Sequence, residues 1–135
     1  MLDAGADAGI MATSSSIEGV FIEAALGMYS MAADLKGIEP SKLARVEVGS
    51  HSIGGLLVAW LNELVYLMDA RDFVASKVEV TLLDPEGVHI SAVLAGEEAG
   101  SDRLGHGLLI KAATYHGLSI ENENGLWSAR VTFDI

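Results

Sequence analysis

The sequence predicts an α+β protein in which two amphipathic helices pack on a mostly antiparallel β-sheet. Three observations carry this. Apolar residues recur at helical spacing twice in the first half of the chain. The second half alternates apolar and polar residues in short runs. Those runs are separated by turn-forming tetrapeptides, which favours antiparallel neighbours. A sheet with one apolar face gives both helices a surface to bury against.

The segment Thr13-Ser14-Ser15-Ser16-Ile17-Glu18 has capping-box spacing, with Ser15 placed to cap and Glu18 to return the bond. A helix is expected from there, its face formed by Ile17, Val20, Phe21, Ala24, Ala25, Met28 and Met31, ending before Gly37 and Pro40. The second helix is expected from Ser52 to about Asp69, on the stripe Leu57, Trp60, Leu61, Leu64 and Met68, with Gly54 and Gly55 softening its first turn. Leu43 to Val48 reads as a short strand between them.

Lys77 to Leu83 and Val88 to Leu94 flank Asp84-Pro85-Glu86-Gly87, a turn with Pro second and Gly fourth, and so form a hairpin. Leu108 to Thr114 is the next strand. Tyr115 to Glu121 and Leu126 to Asp134 flank Asn122-Glu123-Asn124-Gly125, whose Asn-Gly supplies the positive φ angles of a tight hairpin. The glycine-rich stretch Gly100 to Gly107 lacks the lysine and the strand-to-helix setting of a phosphate loop and reads as a loop.

At 135 residues, half of them apolar, one domain with a single core is expected. Ile53 to Met68 is interrupted by Asn62 and Glu63 and falls short of the roughly 20 residues of a membrane span. The first residues carry Asp3 and Asp7 and no preceding Lys or Arg, unlike a signal peptide, so a cytoplasmic location is expected. The absence of cysteine removes disulfide scaffolds, zinc ribbons, iron–sulfur clusters and thiol nucleophiles. A net charge of −11 with no Lys/Arg cluster argues against direct grip on nucleic acid, whose phosphates draw affinity from such clusters. An acidic surface suits cations or a basic partner, and also serves solubility alone.

None of the four histidines, His51, His89, His106 and His116, sits in a nucleophile motif. The more informative residues lie near the two ends, Asp7 and the Asp134-Ile135 pair. Calcium and magnesium take oxygen ligands, and a penultimate Asp beside a terminal carboxylate offers two anionic groups to one ion. Each Asp also reads as a solvated turn former.

Lys111-Ala112-Ala113-Thr114-Tyr115-His116-Gly117-Leu118 resembles the signature of the archease family, and Ala129-Arg130-Val131-Thr132-Phe133-Asp134-Ile135 resembles the family's C-terminus. Glu23 to Ser30 and Trp60 to Leu67 resemble its two helical segments in the same order, so the similarity runs over nearly the whole chain. One departure stands out. Archeases carry His-Thr-Ala-Asp near the N-terminus, whereas this chain has Ala4-Gly5-Ala6-Asp7, which keeps the aspartate and lacks the preceding hydrogen-bonding side chains.

The resemblance implies a metal-binding protein cofactor, not itself an enzyme, that activates a tRNA-splicing RNA ligase by promoting its guanylylation and multiple turnover. It implies a divalent cation, calcium with magnesium or manganese as alternatives, on ligands matching Asp7, Asp134 and the carboxylate of Ile135. It also implies a role for Lys111 in activating the partner, with Thr114, Tyr115 and His116 as further candidates. On the residues alone, Lys111 reads as a solvated charge and the other three as a packed turn. A modulator or chaperone of a tRNA methyltransferase, a general chaperone and a stand-alone metal-dependent hydrolase are the competing readings.

Overall fold

The structure is a computed structural model that describes residues 7–86, 88–98 and 107–135. The chain runs β1 (Asp7–Ser14), α1 (Ile17–Ala32), a short 3₁₀ turn (Leu35–Gly37), β2 (Lys42–Gly49), α2 (Ile53–Arg71), β3 (Phe73–Asp84), β4 (His89–Glu98), β5 (Ala112–Glu123) and β6 (Leu126–Asp134). The expected α+β class is what forms, with the strands divided between two antiparallel sheets of three, ordered β1-β6-β5 and β2-β4-β3.

β1 is the strand the sequence reading lacks. Its Ala-Gly-Ile-Met-Ala-Thr run carries little β-propensity, and its identity comes from pairing along its whole length with β6. The first helix starts one residue later than the capping-box reading: Ser16, not Ser15, is the N-cap and accepts from the Gly19 amide at 3.0 Å. Ser14 Oγ accepts from the Ser16 amide instead. α2 begins as expected, with Ser52 accepting from the Gly55 amide at 3.0 Å, and ends where Asp72 turns left-handed at φ 53°.

The two hairpins form where expected, and β3 starts earlier than Lys77, at Phe73. Phe73, Val74 and Ala75 are buried consecutively rather than alternately, so period-2 reading passes over them. Asn124 (φ 54°) and Gly125 (φ 84°) close the β5–β6 hairpin. At the other hairpin Asp84 Oδ1 accepts from the Glu86 amide, and Gly87, the expected fourth turn residue, lies outside the described residues. So do Ala4 to Ala6 and, apart from Gly107, the expected loop Gly100 to Gly107. The strand expected over Leu108 to Thr114 begins only at Ala112, and no boundary falls at Tyr115: β5 runs on through a bulge.

α2 is long and apolar enough to cross a membrane, but more than half of it is buried among the other elements, as in a core helix. Trp60, Leu61 and Leu64 are fully buried with Phe21 and Tyr29 of α1, Phe73 and Leu94 of the β2-β4-β3 sheet and Phe133 of the β1-β6-β5 sheet. The buried indole of Trp60 donates to the Phe21 carbonyl at 3.0 Å, which fixes one helix against the other. The Tyr29 hydroxyl is buried without a hydrogen-bond partner among the described residues, and burial pushes its phenol well above the usual tyrosine range.

Candidate functional site

In the β1–β6 ladder Asp7 stands directly opposite Asp134, and Asp134 stands opposite Ala112 of β5. Side chains directly opposed on antiparallel strands share a face, with Cβ atoms about 4.5–5.5 Å apart. Both aspartates are exposed. Residues 127 positions apart in the sequence are thus adjacent in space because the first and last strands pair. Two like charges directly opposed repel, which destabilises the strand pair unless a cation lies between them. The donor set, carboxylate oxygens only, is that of a hard cation such as Ca²⁺ or Mg²⁺. Among the described residues no three His, Asp or Glu side chains gather closely enough to hold an ion, so the aspartates stand as a pair. Ile135 follows β6, half-buried against the core behind Phe133.

The Lys111 amide donates to the Asp134 carbonyl at 2.8 Å, so this lysine sits beside the aspartate pair with its side chain exposed. Thr114, Tyr115 and His116 are reached from there by a register shift. Thr114 faces Thr132 and Ser119 faces Arg130, so the four residues between them, Tyr115 to Leu118, are accommodated opposite Val131. Thr114 holds this bulge: its hydroxyl donates to the Thr132 carbonyl at 3.1 Å and accepts from the His116 amide at 3.2 Å. Gly117 supplies the left-handed φ of 66° that the turn requires. Tyr115 and His116 are exposed, Tyr115 by 65%. The structure therefore separates the four residues by role. Lys111 flanks the carboxylates, Thr114 holds the backbone, and Tyr115 and His116 are displayed.

Two further sets of residues support this edge. In the sequence Asn62 shows only as an interruption of an apolar stretch. In the fold its Oδ1 accepts from the Ala113 amide at 2.8 Å and its Nδ2 donates to the Ala113 carbonyl at 3.1 Å. One side chain of α2 thus satisfies both backbone groups on the outer edge of β5, two residues from Lys111. A single amide inside an apolar helix stripe is the signal, since a polar group there needs partners. Gly54 and Gly55 do more than loosen the first turn of α2. A Cβ on Gly54 would lie 3.2 Å from Leu118, and one on Gly55 would lie 3.4 Å from the Tyr115 hydroxyl and 2.7 Å from Ser50 Oγ. Their lack of side chains lets the bulge lie against the helix.

Fold and donor set together define a class: a small two-sheet α+β protein whose first and last strands pair to present opposed carboxylates beside an exposed, braced bulge. The Archease protein family (MTH1598/TM1083) model matches residues 1–135, and the chain belongs to that family. It is 35% identical to Protein archease of Methanothermobacter thermautotrophicus over 136 residues, covering 98% of this chain and 95% of that one. It is 33% identical to Protein archease of Pyrobaculum neutrophilum, covering 96% and 90%. Among solved structures, that of Methanobacterium thermoautotrophicum protein 1598 aligns with a TM-score of 0.76 at 33% identity, covering 99% of this chain and 96% of that one. The structure of "an archease, possible chaperone" from Thermotoga maritima aligns with a TM-score of 0.66 at 17% identity, covering 100% and 95%, a likeness of fold.

Proposed function

We propose that this protein is a metal-binding activator of a tRNA-splicing RNA ligase, acting without bond chemistry of its own. The observation that carries the reading is the Asp7–Asp134 cross-strand pair, two opposed carboxylates whose repulsion a divalent cation would relieve. Asp7, Asp134 and the main-chain carboxylate of Ile135 would hold the ion, calcium in the first instance. The bound ion would supply charge neutralisation and a Lewis acid. A donor set of so few protein groups leaves room for ligands from a second molecule, as required of a protein that presents an ion to a partner. Lys111 beside the pair and the exposed Tyr115 and His116 would contact that partner, with Thr114 positioning them. A hydrolase would need a general base next to the ion, and among the described residues no third acidic or histidine side chain joins the aspartates.

The test has two readouts. Ligase guanylylation and turnover are measured with and without the protein, at catalytic ratios of the ligase. Calcium binding is measured by calorimetry on the protein alone, and on Asp7→Asn and Asp134→Asn. The reading expects turnover to depend on the protein, and calcium binding to weaken by at least tenfold in either variant. Unchanged titrations would remove the metal assignment, and ligase turnover indifferent to the protein would remove the partner.

A further inference from the structure

The β2-β4-β3 sheet has a second face that the helices leave open. Along its strands Ala44, Val46, Ile90, Ala92 and Leu94 point into the core, so the intervening residues point away from it. Cross-strand register sets these outward residues in rows: Leu43, Ala95 and Lys77 in one, and Arg45, Val93 and Glu79 in the next. The face carries a groove of about 490 Å3 that takes in Leu43, Val93, Ala95, Lys77 and Glu79 and extends at the β3 edge to Ser76, Val78 and Leu26 of α1. Leu43 is 66% exposed and Leu82, further along β3, is 52% exposed. Arg45 and Glu79 are exposed, and among the described residues neither makes an ion pair. They lie two strand spacings apart, roughly 10 Å, across the intervening Val93, too far to pair with each other directly.

We infer that this face binds a second copy of the same chain, on a two-fold axis running parallel to β4. The charge order of the central row selects both the occupant and the axis. Rotation about an axis parallel to β4 lays β2 of one copy over β3 of the other. Val93 then meets Val93, Arg45 meets Glu79 of the second copy, and symmetry repeats the ion pair on the other side. An axis running across the strands would set Arg45 on Arg45 and Glu79 on Glu79. Packed sheets cross at about 30°, which displaces rows far from the crossing point but leaves a row at that point nearly in register, within reach of these long side chains. The cationic row end on β2, without an ion-pair partner among the described residues, thus finds its complement on β3 of another copy. Leu43 in the neighbouring row falls over the aliphatic stem of Lys77, which covers the exposed leucine.

The face is small. Strands of about eight residues rising ~3.3 Å each, three across at ~4.8 Å, give a footprint of roughly 26 by 14 Å. That is well below the ~800 Å2 per partner of a standard interface, so the dimer belongs to the weak, transient class. The Asp7–Asp134 pair belongs to the other sheet, so this association is independent of metal and stands or falls separately from the ligase reading.

Sedimentation of the full chain at about 0.15 M salt, which screens the repulsion between two copies of net charge −11 beyond about 8 Å, from about 5 to about 500 μM to span a weak equilibrium, should show the mean mass rising toward twice the monomer. Arg45→Glu or Glu79→Arg, each of which sets like charges across both pairs, should weaken association by at least about tenfold. The double reversal, Arg45→Glu with Glu79→Arg, should restore it, and that recovery is specific to this pairing. All three are surface substitutions whose melting temperatures should stay close to the parent's, which separates loss of association from loss of folding. Because the chain has no cysteine, Val93→Cys provides a second measurement: a short bismaleimide should join two copies, while Glu123→Cys at the far hairpin should not react with itself. A monomer at every concentration, association indifferent to the single reversals, or no recovery in the double variant would overturn the inference.

Discussion

The opposed aspartates make a prediction whose sign reverses with the ion. Without metal, Asp134→Asn removes a like-charge repulsion from the β1–β6 ladder and should raise stability slightly, by about 0.2–1 kcal/mol. With saturating calcium the same variant should be the less stable protein, because the parent gains binding free energy only in its folded state. Thermal melts of both proteins, with and without calcium, should therefore cross, and parallel shifts would show that Asp134 is not a ligand. Tyr29 gives a second residue-level test. Its buried hydroxyl has no partner among the described residues, so Tyr29→Phe removes a desolvated polar group at almost constant shape and should leave the protein as stable or about 1 kcal/mol more stable in denaturant titration. A loss of more than that would mean the hydroxyl is bonded. Asp7, Asp134 and the Lys111 to Leu118 signature are legible in the sequence because short motifs and acidic residues can be seen one at a time. The role of Thr114 is not, because a hydroxyl that braces a bulge has the same letter as one that faces water.

At the level of elements, β5 depends on a contact the sequence hides. Asn62 satisfies both backbone groups of Ala113, and Asn62→Leu, close to it in size, would leave that amide and carbonyl without their partner at the edge of the sheet. A cost of about 1–3 kcal/mol is expected, together with faster hydrogen exchange at Ala113 than in the parent. Slow exchange at Ala113 in the variant would show that another group serves it. The sequence displays both helices and both hairpins because each has local signals: a serine run before α1 that marks its start to within one residue, Ser52 before α2, periodic apolar stripes and turn residues. It hides β1 because that strand has no turn signal and exists only through its non-local pairing with β6. The same limit applies to the division into two sheets, which depends on which strands neighbour one another rather than on what each contains. Where α2 and β4 end and β2 begins, Lys42 and Arg71 converge on Glu98. The hydrogen bond and charge of Lys42, then desolvation acting in the opposite direction, then Arg71, set its carboxyl below the usual range. A lowered folded-state pKa means a contribution fully present above the unfolded value, about 4.3 for Glu, and lost as pH falls through the folded one. Acid titration of stability should therefore be shallower for Glu98→Gln than for the parent below about pH 4.5. Parallel curves would mean that the cluster is solvent-screened to nothing.

For the whole molecule the dominant quantity is a net charge of −11 carried on 135 residues. A surface of that sign repels RNA phosphates, so the isolated protein should show only weak, salt-sensitive affinity for tRNA, and sub-micromolar binding that survives high salt would contradict the charge argument. Toward the basic, RNA-binding enzyme of the proposed function the same charge acts as a guide. Long-range attraction between oppositely charged surfaces raises the rate of encounter, whereas the lifetime of the complex is set by contacts at the interface. Salt discriminates between the two because it screens exposed charges beyond about 10 Å at 0.1 M and about 3 Å at 1 M, while close pairs excluded from water are screened far less. Stopped-flow association with the ligase should therefore slow by roughly tenfold or more between low and high salt, with dissociation changing much less. Neutralising acidic residues away from the Asp7–Asp134 edge, for example Glu121→Gln with Glu123→Gln on the β5–β6 hairpin, should reduce the association rate and its salt dependence together. Calcium affinity should be nearly unaffected, because these positions are remote along β5 from the paired aspartates. If association were equally fast at every salt concentration, the acidity of this chain would serve its own solubility and not the encounter.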